Sequence, residues 1–178
     1  IGSYKYNTSS YFQDYFNSTA GHCTVEFDGR DQMRRISRFL FTDWLKTKSY
    51  KSTNDIMGRQ ELCASYQDNL GAEHERKITF DPEKLTVIDK VNGFRETAIL
   101  RWHLSATNWT QIKVVVVNDE WHYTTQNKDG IKLNIYSSDE NTTCFLRQGW
   151  ESTRYGKKTK IPKIELTVSI NAEIKTEV

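Results

Sequence analysis

The sequence lacks the features that mark several classes of protein. No apolar run approaches the roughly 20 residues that cross a bilayer, and the longest one lies around Lys113–Val117. The sequence also lacks an excess of either charge: its 25 basic and 23 acidic residues are interleaved, and only 157–160 form a short basic run. The sequence therefore predicts no membrane span, and nucleic acid is not expected as a partner.

Cysteine is scarce and histidine is scattered. Cys23, Cys63 and Cys144 are widely separated and odd in number, which argues against a disulfide scaffold and against CxxC motifs. One disulfide with one free thiol remains open. The histidines form no HxH, HExxH or HxxxH cluster, so no complete metal site is readable locally. Each is expected to be a hydrogen-bonded structural residue: His22, His74, His103 and His122.

The adjacent His22 and Cys23 invite comparison with a Cys-His nucleophile. Neighbouring side chains in a strand point to opposite faces, so these two residues cannot form that pair directly.

From about residue 73 onward, apolar residues recur with a period of two, and turn signals follow every 8 to 15 residues. This spacing predicts antiparallel hairpins and meanders rather than βαβ crossovers. Strands are predicted at 77–80, 85–88, 98–104, 112–117, 120–124, 131–136 and 164–168. No internal repeat or linker is present. We therefore predict one domain over 1–178, an all-β sandwich of two packed antiparallel sheets.

The first 70 residues are less regular. Residues 24–27 read as a strand that runs into a tight turn at Asp28-Gly29. Segments 37–44 and 61–67 fit strands or short helices, and we favour strands. Six aromatic residues lie within thirteen positions: Tyr4, Tyr6, Tyr11, Phe12, Tyr15 and Phe16. Aromatic rings with hydroxyl groups suit sugar binding, but packing of an irregular segment is the favoured interpretation.

Three segments resemble a known family. Residues 11–32, YFQDYFNSTAGHCTVEFDGRDQ, are similar to a signature of the heparinase II/III-like polysaccharide lyases. His74-Glu75-Arg76 followed by LTVIDKV at 85–91 resembles the family's paired-strand motif, and GWESTRYG at 149–156 resembles a late element. The three motifs occur in the family's order.

The resemblance implies a role that periodicity alone does not indicate. Such lyases join an N-terminal α/α toroid to a C-terminal antiparallel β-sandwich and cleave uronic-acid-containing polysaccharides by β-elimination in the cleft between them. We expect this chain, which begins at Ile1 without a methionine or leader, to be the sandwich part of a longer bacterial protein. It would form one wall of the cleft in an enzyme that acts on an acidic polysaccharide, and it would be inactive without the rest of that enzyme. Its location would be periplasmic or secreted.

The resemblance also assigns residues. His22 matches a histidine that binds structural zinc in some members, together with ligands further upstream, so zinc is expected in the full-length protein but not in this chain alone. Cys23 stands where the family usually has asparagine. Tyr6 and Tyr11 are candidates for a catalytic tyrosine, although cleft lining or packing is the favoured interpretation of both.

Two other functions fit the sequence. The domain could be a non-catalytic carbohydrate-binding or scaffolding sandwich that uses its tyrosine-rich segment as a sugar platform. It could also belong to a lyase-like protein whose catalytic residues have drifted.

Overall fold

The structure is a computed structural model that describes residues 4–54, 58–117 and 120–178. One short helix, α1 (Ser10–Asn17), and a 3-10 turn (Thr19–Gly21) precede the strands. The strands are β1 (Val25–Phe27), β2 (Arg34–Arg35), β3 (Phe41–Thr42), β4 (Lys46–Asn54), β5 (Gln60–Gln67), β6 (Glu73–Asp81), β7 (Lys84–Asn92), β8 (Ala98–His103), β9 (Lys113–Val117), β10 (Glu120–Gln126), β11 (Lys132–Ser137), β12 (Thr143–Arg154), β13 (Lys157–Val168) and β14 (Ala172–Glu177).

Two antiparallel sheets pack face to face. The small sheet has the order β1-β8-β13-β12, and the large sheet has the order β4-β5-β6-β7-β14-β11-β10-β9. A separate two-stranded hairpin joins β2 and β3. The predicted all-β sandwich is confirmed. Within the described ranges, no helix is long and apolar enough to cross a membrane.

The core lies between the two sheets and follows the period-two alternation. The small sheet contributes Leu100, Ile164 and Leu166, and the large sheet contributes Ile135 and Ile174, all of them fully buried. Burying such a side chain stabilises the fold by about 1.5–3 kcal/mol. The alternate residues of β8 and β13 must therefore point away from the core, to the outer face of the small sheet.

The predicted turn at Asp28-Gly29 is confirmed. Both residues have left-handed backbone angles, with φ of 52° and 68°. The Asp28 carboxylate accepts hydrogen bonds from the backbone N–H groups of Arg95, Glu96 and Thr97. Burial would raise the pKa of this carboxyl group, but these bonds and the Arg30 guanidinium hold it well below its usual range. The turn thus ties the first strand to the loop before β8.

The N-terminal 70 residues depart from the predictions in two places. Helix α1 occupies the segment read as irregular. Phe12 and Phe16 lie one helical turn apart, with ring centres 6.5 Å apart and ring planes inclined by 28°. Segment 61–67 is strand, as favoured, within β5. The strand prediction for 37–44 is wrong except at Phe41–Thr42. Its apolar residues do not enter the core, and Phe39 is 73% exposed.

One hairpin extends past its sheet. β13 pairs with β8 only over Lys163–Val168, whereas its pairing with β12 runs from Thr167 to Lys157 with one register shift between Glu151 and Arg154. Residues 149–162 therefore form a two-stranded ribbon, the name used for them below. The N-terminal segment packs on this ribbon, where the Gly156 N–H donates to the Tyr4 carbonyl oxygen at 2.7 Å.

Candidate functional site

The outer face of the small sheet carries a buried ion-pair network. Arg101, on β8, reaches Glu26 through Nη1 and Glu165 through Nε, each at 3.0 Å. Lys163, on β13, lies 2.8 Å from the same Glu165. Burial would raise the pKa of Glu165, but the hydrogen bonds from Lys163 and Arg101 outweigh it and hold the pKa below its usual range. The face is charged and internally compensated.

Helix α1 is attached to this face through Tyr15. The Tyr15 hydroxyl lies 3.1 Å from His103 Nε2 and accepts a hydrogen bond from the Trp150 N–H at 2.9 Å. Gly149 permits this approach, because a Cβ atom there would lie 2.8 Å from the Tyr15 hydroxyl oxygen and 3.3 Å from Lys163 Cβ. Burial raises the pKa of Tyr15. The phenol therefore stays protonated at neutral pH and fixes the helix position.

His103 connects the helix to the His22–Cys23 segment. Its Nδ1 lies 3.7 Å from Cys23 Sγ, and its backbone N–H donates to the same sulfur at 3.3 Å. Burial, followed by the positive charge of Lys163, lowers the pKa of His103 to about 4. The imidazole is therefore neutral at pH 7 and can pair with both Tyr15 and Cys23.

The sandwich core holds Cys23 from the other side. Arg76 Nη1 donates to the Cys23 carbonyl oxygen at 2.7 Å, and Arg76 Nε donates to Asp89 at 2.6 Å. His74 Nε2 lies 2.6 Å from the same Asp89 oxygen. The Arg76 guanidinium also covers the ring of Trp102, 4.7 Å from its centre. Cys23 is thus fixed by its backbone and by its side chain, which limits where the preceding His22 can lie.

His22 follows the 3-10 turn and is exposed. Its N–H donates to the Thr19 carbonyl oxygen at 3.1 Å. Partial desolvation of the ring lowers its pKa, although the residue as a whole is exposed, and a contact with the Phe16 backbone opposes that shift. His22 and Cys23 do not pair with each other, since the Cys23 sulfur faces His103.

The two candidate tyrosines lie on exposed parts of the N-terminal segment. Tyr11 lies in the first turn of α1, is 59% exposed and stacks loosely on Tyr15, with ring centres 6.5 Å apart. Tyr6 is 50% exposed and contacts the rings of Phe39 and Tyr155 at 5.5 and 5.6 Å. The structure therefore places Tyr11 on the helix that Tyr15 anchors, and Tyr6 beside the ribbon.

Two surface clefts flank this segment. One of about 290 Å³ is lined by aromatic and polar side chains, among them Tyr6, Phe39 and Arg38. The other, of about 530 Å³, contains three arginines with carboxylate partners: Arg30 pairs with Asp68, and Arg34 and Arg35 pair with Asp43 and Asp14. Only the first cleft offers aromatic faces on which a sugar ring could stack.

A metal site is not complete in this part of the chain. Among the described residues, no three His, Cys, Asp or Glu side chains come together as metal ligands. A structural zinc site needs about four ligands, and His22 would supply one of them. The residues present do not fit zinc by themselves, so the ligand role of His22 stays a prediction about a longer chain. All three cysteines are free, which decides against the single disulfide left open by the sequence.

Sequence reasoning missed Tyr15 and His103 as members of the site. Tyr15 lies inside the tyrosine-rich segment, but its partner is 88 residues away, and spacing gives no signal for such a contact. His103 was expected to be a hydrogen-bonded structural histidine, and it does form hydrogen bonds. The available signal was its position in β8: it lies three residues after the buried Leu100 and therefore on the opposite, outer face of the sheet.

Comparison with known proteins agrees with the fold. The family model described as heparinase II/III-like, C-terminal, matches residues 1–177. The heparan sulfate lyase HepC from Pedobacter heparinus superposes with a TM-score of 0.67 at 19% identity, over 99% of this chain and 27% of that one. A heparinase III gene product gives the same four values.

At this identity the solved structures show a shared fold. The chain spans about a quarter of their length. No curated protein sequence matches it. Because the family model covers nearly the whole sequence, the chain belongs to the heparinase II/III-like family and corresponds to its C-terminal domain.

Proposed function

We propose that this domain forms one wall of the substrate cleft of a polysaccharide lyase that cleaves uronic-acid-containing chains by β-elimination. The observation that carries the proposal is the surface formed by α1 and His22. Contacts of Tyr15 and Cys23 with His103 hold this surface on the small sheet. It presents an exposed tyrosine, Tyr11, in a chain of the heparinase II/III-like family.

The chemistry needs a base, an acid and charge stabilisation. A base removes the proton on the carbon next to the uronate carboxylate, the bond to the glycosidic oxygen breaks, and that oxygen takes up a proton. A double bond forms between the carbon that lost the proton and the neighbouring carbon that lost the glycosidic oxygen. The negative charge that develops on the carboxylate side needs fixed donors or cations. Tyr11 and Tyr6 are the hydroxyl groups of this domain that we propose for proton transfer.

The remaining parts of the proposal concern the complete protein. An N-terminal α/α toroid would supply the facing wall, and His22 would join upstream ligands in holding zinc. The protein would act outside the cytoplasm, in the periplasm or after secretion. The two similar solved structures are described as a heparan sulfate lyase and a heparinase III, which supports an acidic polysaccharide as substrate.

The test uses the complete parent chain with a panel of uronate polysaccharides, including heparan sulfate, hyaluronan and alginate. Newly formed unsaturated uronate ends are followed by their ultraviolet absorbance. A rise with one polymer is expected. Tyr11→Phe and Tyr6→Phe then decide between the two hydroxyls. Removing the hydroxyl that transfers the proton should lower kcat strongly and change KM little.

Tyr50→Phe is the matched control, since Tyr50 is 71% exposed on β4, on the large sheet. No rise with any polymer, from folded parent protein, would contradict lyase activity.

A second function has a specific observation in its favour. The aromatic cleft of about 290 Å³ beside Tyr6 and Phe39 could hold a sugar ring by stacking alone, with no proton transfer by Tyr6. A non-catalytic binding domain, or a drifted lyase, would bind polysaccharide at this cleft and release no unsaturated product. Loss of binding in Phe39→Ala, without turnover in the parent, would favour this alternative.

A further inference from the structure

Strand β9 is an open edge of the large sheet. Among the described residues it pairs with β10 alone, and it is the last strand in the sheet order. The backbone N–H and C=O groups on its other side form a template on which a further strand can pair. Its sequence, KVVVV over Lys113–Val117, has the β-branched side chains that favour strand pairing.

The other edges of the sandwich carry features that natural proteins use to block such pairing. β4, at the opposite edge of the large sheet, has three lysines and a register shift in its pairing with β5. In the small sheet, β1 has only three residues and the pairing of β12 has a register shift. Lysines, bulges and short strands all hinder strand addition. The described pairing of β9 has no register shift, and Lys113 at its start is its one charged residue.

Two valines of β9 lie on the core-facing side of the sheet without being covered. Val114 lies opposite Tyr123, and Tyr123 lies opposite the buried Ile135, so these three side chains share one face. Val114 and Val116 are nevertheless 55% and 52% exposed. The small sheet has four strands against eight, and it does not extend over this edge. An exposed apolar row beside an open strand edge marks an interaction site.

From this arrangement we infer that two copies of the chain pair through β9, antiparallel and about a two-fold axis at Val115. In this register Val114 lies opposite Val116 of the partner subunit, and Val115 lies opposite its own copy. Each exposed valine then covers a valine of the other copy. The two large sheets become one continuous sheet.

The charges and the symmetry favour a second copy as the occupant. Antiparallel pairing places the two Lys113 side chains four residues apart along the strands, about 13 Å at about 3.3 Å per residue, where salt screens their repulsion. Two-fold pairing also uses each β9 edge once, so the assembly closes as a dimer instead of growing into a fibre.

The contact is small. It involves one five-residue strand of each copy, whereas a standard interface has about 20–30 residues a side. We therefore expect a weak dimer, with a dissociation constant of about 0.1 mM. The inference goes beyond the proposed function, since it concerns assembly of the chain and requires no substrate.

The experiment is sedimentation velocity of the 178-residue chain between about 10 µM and 1 mM. The unmodified chain should shift from a 20.8 kDa monomer to a dimer of twice that mass. Val114→Lys with Val116→Lys places ammonium groups directly opposite each other across the interface. This variant should dimerise more than tenfold more weakly and stay monomeric. Thermal unfolding verifies that it folds.

Tyr50→Lys with Ser52→Lys is the matched control. It adds the same two charges at alternate, exposed positions of β4, the other edge of the large sheet. The control should dimerise as the unmodified chain does. A loss of dimerisation equal to that of the valine variant would overturn the inference, because net charge rather than the β9 edge would then decide association.

Cysteine cross-linking tests the register. Val115→Cys places two thiols opposite each other across the axis, where the Cα atoms of opposed residues lie about 4.5–5.5 Å apart, within reach of a disulfide. Mild oxidation should give a covalent dimer on a non-reducing gel, whereas Lys51→Cys on β4 should give none. Equal cross-linking of the two variants would contradict the two-fold pairing.

Two further results would overturn the inference. One is an unmodified chain that stays monomeric at 1 mM, or a valine variant that dimerises as well as the unmodified chain. The other is slower hydrogen exchange of the amides of 113–117 in a monomeric parent protein than in this chain, because another part of the parent would then cover β9. Since no turnover is measured, these results do not depend on the lyase assay.

Discussion

Replacing the buried carboxylate of Asp89 should lower the stability of the fold. Asp89 is fully buried, and its Oδ1 accepts hydrogen bonds of 2.6 Å from both His74 and Arg76. Asp89→Asn keeps the volume and one acceptor, but it removes the charge that compensates Arg76. Leaving a buried charge without its partner costs about 3–5 kcal/mol. Because asparagine retains one acceptor, we expect a loss near the lower end, about 3 kcal/mol.

The assay is urea unfolding followed by tryptophan fluorescence and far-ultraviolet circular dichroism. With a slope of about 2 kcal/mol per molar urea, the midpoint should fall by about 1.5 M. Glu173→Gln is the control, because Glu173 is exposed and lies 3.6 Å from Lys90, and its midpoint should not move.

A double-mutant cycle tests the mechanism. Adding Arg76→Met to Asp89→Asn removes the stranded charge, so the double variant should lose less stability than the sum of the two single losses. A loss below about 1 kcal/mol for Asp89→Asn, the scale of a surface pair, would refute the reasoning.

Three further predictions concern the site. Gly149→Ala places a methyl group 2.8 Å from the Tyr15 hydroxyl and should destabilise the fold by about 1–3 kcal/mol, whereas Thr153→Ala, exposed on the same strand, should be neutral in a thermal melt. His103 has a pKa of about 4 in the fold against an ordinary 6.5, so the unfolded chain takes up the proton first and stability falls as pH decreases from 6.5 to 4. His103→Gln should flatten that slope, and an unchanged slope would contradict the burial of the imidazole. In the parent protein His22→Ala should lower the zinc content measured by elemental analysis, while His122→Ala should not. Zinc retained in His22→Ala would exclude the ligand role.

The fold was predictable from the sequence where local alternation decides it. β8 and β11 alternate apolar and polar residues, and their inward-facing apolar residues belong to the core. The N-terminal segment was not predictable in this way, because helix α1 depends on packing against the ribbon and on the contact of Tyr15 with His103. No local pattern reports partners 88 or 135 residues apart.

The buried polar network shows where a closer reading would have helped. Asp89 lies between Val87 and Val91, on the inward-facing side of β7. A carboxylate in the apolar register of a strand requires a buried cationic or donor partner. His74 and Arg76, two residues apart on β6 and therefore on one face, provide the donors. The pairing of these residues follows from the antiparallel register, which the sequence alone does not fix.

The central claim is that the surface of α1 and His22 lines a polysaccharide cleft. Hydrogen exchange of the parent protein, with and without a uronate oligosaccharide that it does not cleave, tests this claim most directly. The account predicts that the ligand slows exchange of backbone amides within 10–23, with a smaller effect on β4 and β5 at the far edge of the large sheet. Unchanged exchange in 10–23, at ligand concentrations that saturate the protein, would contradict it.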